Sequence, residues 1–488
     1  MNFLGLSLQD YGILIITIIL CALSVRLYIK ASGTLSPVKI SPISLTFYFF
    51  LVFSVIGTTL VAMGNEYHHM MRYMRHGDIK MLAWFLVMIL FVLFPAIQIL
   101  LNKIFKYKPE SYQEYTKKKT TLSKNRDAEF IAVSLAAAIC IGAVVYTFWK
   151  IGISDNPLVN AIRGVDSEQL AFLRNKVSND FPGNEYIRNI FAVGLTPIIS
   201  YMAYILMRET KQLRFIILFA LLFISSNLIS IYDLEKAPII IYWATFVILS
   251  IMYGDKLKWR YLIGLGVVAA AAIVVMYVVI AGSSLDKIFS FAGPINRIIL
   301  TTPIAFILHL EVFTYRSLLL NGASVPSWVG RLFFGNTDLN RSGRAVMEVV
   351  NFDGIRNGTA GVYNGLFLGE AFANFGMLGI FIAMIHVPIM FFLMNFVFVK
   401  LKKTPITLAL FAYFTVSFLF TLHGGYTDYI WNTMWVLVVI IGIMMTVFIK
   451  FLEKINFRKK NVESKESPYV VNVEKEETFK PLDTKSEV

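Results

Sequence analysis

The sequence predicts an all-α polytopic membrane protein of about eleven transmembrane helices, with two long loops on one face. Three observations predict it. Apolar residues make up 57% of the chain and charged residues only 16%, where a soluble domain carries about 25% charged residues. The apolar residues gather into runs of the roughly 20 positions that a helix needs to cross a bilayer. The lysines fall between alternate runs, as the positive-inside tendency requires.

The runs lie at 10–29, 44–64, 81–102, 130–149, 188–207, 214–232, 237–254, 261–281, 372–399, 405–422 and 428–449. The first follows MNFLGLSLQD, which has no basic region before the apolar stretch and no small-residue cleavage site after it. It is therefore expected to stay attached as the first span. A further run at 298–320 holds His309, Glu311 and Arg316, which favour a re-entrant or interfacial helix over a span. Cys21 and Cys140 each fall inside an apolar run and read as small core hydrophobes, with no disulfide or metal pair expected.

With an outside N-terminus, the inner segments are 30–43, 103–129, 208–213, 255–260, 400–404 and the tail from 450. Lysine follows that assignment: 103–129 alone holds Lys103, Lys106, Lys108, Lys117, Lys118, Lys119 and Lys124. Topology thus explains most of the formal charge of +14, and no nucleic-acid partner is expected. The domain reading is one membrane domain, 1–455, followed by an inner tail, 456–488. From 461 the tail is rich in Glu, Lys and Ser and too poor in large apolar groups to offset its ordering entropy, so disorder is expected.

Two outer segments, about 150–187 and 282–371, far exceed the usual two to eight residues of a helix connection, and such length points to function. The second carries Arg297, Arg316, Arg331, Arg341, Arg344 and Arg356 against one lysine, Lys287. Guanidinium is a planar fork that binds phosphate oxygens in pairs, so an outer arginine cluster points to an anionic phosphate ligand, the alternative being solvated charge. In the first segment Arg163, Asp166, Glu168 and Arg174 are expected on one short amphipathic surface helix, with Arg163 and Arg174 on roughly one face. The alternative there is an ordinary interfacial helix. Lys236, within YDLEKAPII, opens a helix whose dipole it opposes, which an anionic ligand or a local ion pair with Asp233 and Glu235 would explain.

After Arg356 the sequence GTAGVYNGLFLGEAFANFGMLGIF spaces glycines at the outer start of a span, with Glu370 and Asn374 on one helical face. A carboxylate at the mouth of a span is a functional candidate by default, the alternative being a salt bridge that holds the loop down. The turn LHGGYTDYIW offers His423 and Asp428 as further proton acceptors. His68 and His69 have no ligand spacing around them, so no metal is proposed, and neither a Walker loop nor GxGxxG, GxSxG or zinc spacing occurs. No cofactor is expected.

NPLVNAIRG, YDLEKAPII, FAGPINRIILTTP and NGLFLGEAFANFGMLG together resemble segments of Wzy-type O-antigen polymerases, bacterial membrane enzymes that polymerise oligosaccharide repeat units. The resemblance covers most of the membrane domain. It implies a metal-independent glycosyltransferase with a GT-C-like fold in the bacterial inner membrane, N-terminus periplasmic and C-terminus cytoplasmic. Such an enzyme transfers the growing glycan from undecaprenyl pyrophosphate to the non-reducing end of a new lipid-linked unit, for O-antigen or related surface polysaccharide, with a chain-length regulator as a possible partner. On that reading Arg163, Arg174, Lys236, Arg297, Arg341, Arg344 and Arg356 bind pyrophosphate and glycan, and Glu370, His423 and Asp166 are the candidate bases. The rival functions are an O-antigen ligase, which shares the donor, and a transporter or flippase of lipid-linked glycans. A transporter would bury charges at midplane between repeats, whereas the ionisable residues here cluster at one face.

Overall fold

The computed structural model describes residues 7–260, 293–334, 341–357 and 361–463, with a few single positions between 263 and 290. Among these residues every regular element is a helix. In chain order they are α1 (Leu8–Ser32), α2 (Pro42–Ala62, with a π-helical turn at Leu51–Val55), α3 (Ile79–Ile104), α4 (Glu110–Lys117), α5 (Arg126–Ile151), α6 (Pro157–Ile162), α7 (Ser167–Asn179), α8 (Ile187–Thr210), α9 (Leu213–Ser230), α10 (Lys236–Tyr253), α11 (Pro294–Glu311, continued by a π-helical turn at Val312–Arg316), α12 (Ser327–Phe334), α13 (Ser342–Val350), α14 (Phe352–Arg356), α15 (Leu366–Lys400), α16 (Pro405–Thr421), α17 (Asp428–Trp431) and α18 (Thr433–Glu463). Nine helices among the described residues are long and apolar enough to cross a membrane, and α10 and α16 are shorter apolar helices. The fold is that of a polytopic, membrane-embedded protein. Most of the run at 261–281 and the tail beyond 463 lie outside the described residues.

Local sequence explains where the spans begin. Ser7 and Asp10 form a reciprocal capping box at α1, Ser41 and Ser44 at α2, and Thr404 and Thr407 at α16, the last two with proline at the first helical position. Each box satisfies two backbone donors that the first turn leaves orphaned. The helices differ in depth: 72% of the apolar window in Ile295–Arg316 is buried, against 22% in Asp428–Ile455, so α11 is central and α18 peripheral.

The short loops gather on one face. Asn102 donates to the carbonyl of Ala31 at 2.9 Å and Gln113 to that of Lys39 at 2.8 Å. Arg208 forks onto Asp255 at 2.7 and 2.8 Å, and Arg214 meets Asp127 at 2.6 Å. Glu453 accepts from the Ser123 hydroxyl and from the Lys124 backbone N–H. At the centre Lys403, buried, donates to the carbonyls of Thr116 at 2.9 Å, Lys118 at 2.8 Å and Tyr253 at 3.1 Å. Every segment that the sequence groups by its lysines contributes to this lysine face. The end that carries the long loops is the arginine face.

The helix α11 shows why 298–320 is ambiguous in sequence. Its length and composition suit a span, yet both of its ends are tied to the single loop between α2 and α3. Near its start Asn296 donates to the Tyr67 carbonyl at 2.7 Å, and near its end Arg316 donates to the Tyr73 carbonyl at 2.8 Å. Glu311, fully buried, accepts from the Arg75 backbone N–H at 3.0 Å, pairs with the Arg316 guanidinium and lies 3.5 Å from His76. The segment is therefore anchored at both ends to the loop between α2 and α3, while by length and composition it counts among the nine helices able to cross a membrane. Gly57 lets α2 press against it: a Cβ there would lie 2.2 Å from the Ile299 carbonyl oxygen.

One sequence expectation is corrected here. Arg163 and Arg174 do not share a helix, because α6 ends at Ile162, Gly164 takes a left-handed φ of 76°, and α7 starts afresh at Ser167.

Candidate active site on the arginine face

The site is built on a broken helix. Within α15, Phe375 (φ −136°, ψ 17°) and Gly376 (φ 59°, ψ −148°) leave helical geometry, and the chain doubles back: a Cβ on Gly379 would come 2.2 Å from the Ala371 carbonyl oxygen. Eight residues of straight helix would separate those positions by about 12 Å. A backbone at positive φ with ψ near −150° is essentially reserved for glycine, which is why the break falls at Gly376. The carbonyls that the break orphans are satisfied by the second long loop, Leu320 donating to Ala373 at 2.8 Å and Asn321 to Asn374 at 3.0 Å.

The half-helix 366–374 is buried at every position. It presses onto α11 through Gly365 and Gly369; a Cβ on Gly365 would sit 2.5 Å from the His309 ring nitrogen and 2.8 Å from the Ala305 carbonyl oxygen. Gly365 and Gly369 therefore set the distance between these two helices. Leu366, at the head of the half-helix, is held at a φ of 57°, an uncommon conformation for a residue with a side chain.

Glu370 points from this half-helix into a polar cluster assembled from four segments. One carboxylate oxygen accepts from the Ser324 hydroxyl at 2.9 Å; the other accepts from the Thr427 backbone N–H at 2.8 Å and its hydroxyl at 3.1 Å. Asn374, one turn on, donates to the Ser324 Oγ at 2.8 Å. Arg341, immediately before α13, lies 3.9 Å from Glu370 and donates to the Thr427 hydroxyl at 2.9 Å and to Asp428 at 2.5 Å. Burial alone would lower the Arg341 pKa, but Glu370 and Asp428 together hold it above its usual value. Glu370 is enclosed, with 1% of its side chain exposed, whereas Arg341 at 38% and Asp428 at 24% open outward. Two carboxyl groups share one guanidinium, so the cluster has no positive charge to spare and suits a proton acceptor better than a phosphate cradle.

His423 lies on the same turn, four residues before Thr427. It is wedged edge-on between Phe49 and Phe53, its Nδ1 is 3.2 Å from the Thr302 hydroxyl, and burial pushes its pKa down to about 4. At neutral pH it is an uncharged ring. One residue earlier on α11, the Thr301 hydroxyl is 3.3 Å from Nε2 of buried His68, so adjacent threonines hold two imidazoles.

The other residues read from the sequence are dispersed. Asp166 accepts from the backbone N–H of Gln169 at 2.9 Å and so caps α7. Arg174 donates to the Asp233 carbonyl at 2.9 Å, tying the first long loop to the turn before Lys236, whose side chain lies outside the described residues. Arg163 and Arg356 are exposed, and Arg344 lies 3.6 Å from Glu348 one turn along α13. Arg297 is exposed on the first turns of α11. Of the set, the structure brings together Glu370 and Arg341. Sequence reasoning missed Ser324 and Thr427, hydroxyl residues without a spacing signal.

No protein-family model, no curated protein and no solved structure matches the chain.

Proposed function

We propose that this chain is a metal-independent membrane glycosyltransferase that polymerises undecaprenyl-pyrophosphate-linked oligosaccharide repeat units. On this reading the arginine face is periplasmic and the lysine face cytoplasmic, in a bacterial inner membrane, with an N-terminus outside, about eleven spans and a GT-C-like arrangement. The observation that carries it is the Glu370–Arg341–Asp428 array: a carboxylate pair organised around one guanidinium, at the mouth of the bundle and beside long arginine-rich loops.

The chemistry assigns the array a role. A hydroxyl at the non-reducing end of the acceptor attacks the anomeric carbon of the donor glycan; the bond from that carbon to the pyrophosphate oxygen breaks, and its electron pair leaves with the pyrophosphate. The hydroxyl proton passes to Asp428, whose second oxygen has no partner among the described residues. General-base assistance of this kind is worth about 10²–10⁴-fold. Glu370, with both oxygens bonded, positions Thr427 and Arg341. Asp166, spent on a helix cap, is not needed for the step.

The test is to supply purified protein in nanodiscs with one defined undecaprenyl-pyrophosphate repeat unit, without metal or nucleotide, and to resolve products by size. A ladder is the expected result; unchanged substrate from folded protein would overturn the reading. The break at Phe375–Gly376 favours a second reading, a transporter of lipid-linked glycans, because discontinuous helices also build transport sites. That reading predicts movement of intact substrate across proteoliposomes with no change in glycan length.

A further inference from the structure

An apolar groove of about 670 Å³ runs between α15, α16 and α18 and ends at the lysine face. That volume lies within the range of small-molecule sites. Met394, Leu410 and Phe414 belong to its buried floor, and Val397, Ile443 and Val447 to its exposed rim. Gly442 brings α18 closely onto α16, for a Cβ there would lie 2.7 Å from Cδ1 of Leu410. The two hydroxyls in the lining are turned onto backbone: Thr407 donates to the Lys402 carbonyl at 2.6 Å and Thr446 to that of Gly442 at 2.8 Å. The wall therefore suits hydrocarbon.

Charge enters only at the mouth. Lys450 is the one charged residue of the lining, and it continues the row Val439, Ile443 and Thr446, whose spacing of three and four keeps to one face of α18. Lys454 stands one turn further along that face, and Lys402 follows the lining residue Leu401 across the mouth. All three lysines are exposed, and none pairs with a carboxylate among the described residues. The carboxylates of this face are engaged elsewhere: Glu129 with Arg126, Asp255 with Arg208 and Asp127 with Arg214. Glu453, three residues beyond Lys450, turns to Ser123 and the Lys124 backbone.

An acyl chain gains little by leaving the bilayer for an apolar groove, because lipid tails are as apolar as leucine. Selection must come from the mouth, where each lysine near an anionic headgroup is worth about fivefold in affinity. The depth also fits. From Val439 to Lys450 the groove rises about 16 Å along α18, about half of a hydrocarbon core roughly 30 Å thick, so a chain lying in it carries its headgroup to the lysines.

We infer that this groove binds an anionic glycerophospholipid, with one acyl chain between α15, α16 and α18 and the headgroup phosphate at Lys402, Lys450 and Lys454. The lipid joins the peripheral α18 to the loop between α15 and α16. This site goes beyond the glycosyltransferase reading and does not depend on it: the groove lies toward the Lys400 end of α15, whereas Glu370 is near its start.

The experiment counts retained lipids. Full-length protein is released by native mass spectrometry from nanodiscs of equal parts phosphatidylglycerol and phosphatidylcholine with matched chains. Wild type should retain one phosphatidylglycerol in preference to phosphatidylcholine by about tenfold or more. Lys402→Gln, Lys450→Gln and Lys454→Gln together should bring that ratio close to one, and the arginine versions should keep it. Ile443→Trp fills the groove from its exposed rim without changing charge, and should lower total retained lipid by about fivefold or more, which separates a chain-holding groove from headgroups gathered by surface charge alone. Lys30→Gln, exposed in the last turn of α1, should change neither readout. Equal retention of the two lipids by wild type, undiminished selectivity in the folded triple variant, or full retention by folded Ile443→Trp would overturn the site. Release as a lipid-free dimer would assign the groove to a second copy of the chain and overturn it as well.

Discussion

The two faces use cations differently. On the lysine face a positive charge is a staple: Lys403 sits among backbone carbonyls of α4, the loop after it and α10, and Arg208 and Arg214 each meet a single aspartate. On the arginine face one cation, Arg188, is buried against the carbonyls of Val177 and Ser178 in the same way, but Glu311, Glu370 and Asp233 are buried there too, and Arg72, Arg297 and Arg356 stay exposed. Net charge alone does not separate these situations. What separates them is whether the cation's hydrogen bonds are already made, and therefore whether a ligand can use them.

The sharpest way to break this contrast is at the carboxylates. Asp428→Asn should lower the rate of ladder formation by about 10²–10⁴-fold, with substrate affinity much less affected, because it removes a group used only as the proton moves. Glu370→Gln should cost about 10-fold or more in the same assay, and an unchanged rate in both variants would end the assignment of the array. On the other face Lys403→Met should lower stability by roughly 3 kcal/mol by leaving buried carbonyls without a donor, while turnover per folded molecule stays intact. A thermal midpoint equal to wild type would show that the staple is dispensable. Gly365→Ala tests the helix contact between the faces: its Cβ must displace α15 from α11, at about 1–3 kcal/mol, and glycan synthesis should fall with it.

The smallest expected effect is a pH dependence confined to the arginine face. Burial holds His68 and His423 neutral down to a pKa of about 4, whereas the unfolded chain protonates them near 6.5. Folded pKa values below the unfolded ones mean that this stability is present above about pH 6.5 and is lost as pH falls toward 4. Thermal unfolding followed across that window should show the decline, and His68→Asn with His423→Asn should lessen it.

Much of the fold was legible because its signals are local. Lysines between apolar runs grouped the loops that the structure gathers on one face, whereas Glu311 and Arg316, read as signs against a span, lie buried at the end of a helix long and apolar enough to be one. The expected surface helix across Arg163 and Arg174 failed at one residue, Gly164, whose left-handed turn no hydrophobic period announces. The site was legible at Glu370, Asn374 and Asp428, where a charge or an amide interrupts an apolar context. It was not legible at Ser324 and Thr427, which reach Glu370 across 46 and 57 positions of sequence. Hydroxyl residues that distant share no periodicity with the helix they complete.

The break at Gly376 also bears on how such a molecule tolerates change. In one continuous helix each inserted residue would turn Glu370 by about 100° around the axis, so bilayer fit and carboxylate orientation could not vary separately. With the half-helix pinned by Leu320 and Asn321 and the remainder of α15 free to set its own length, a lengthened membrane segment need not re-aim the carboxylate. Anchoring and chemistry are thereby placed under independent selection.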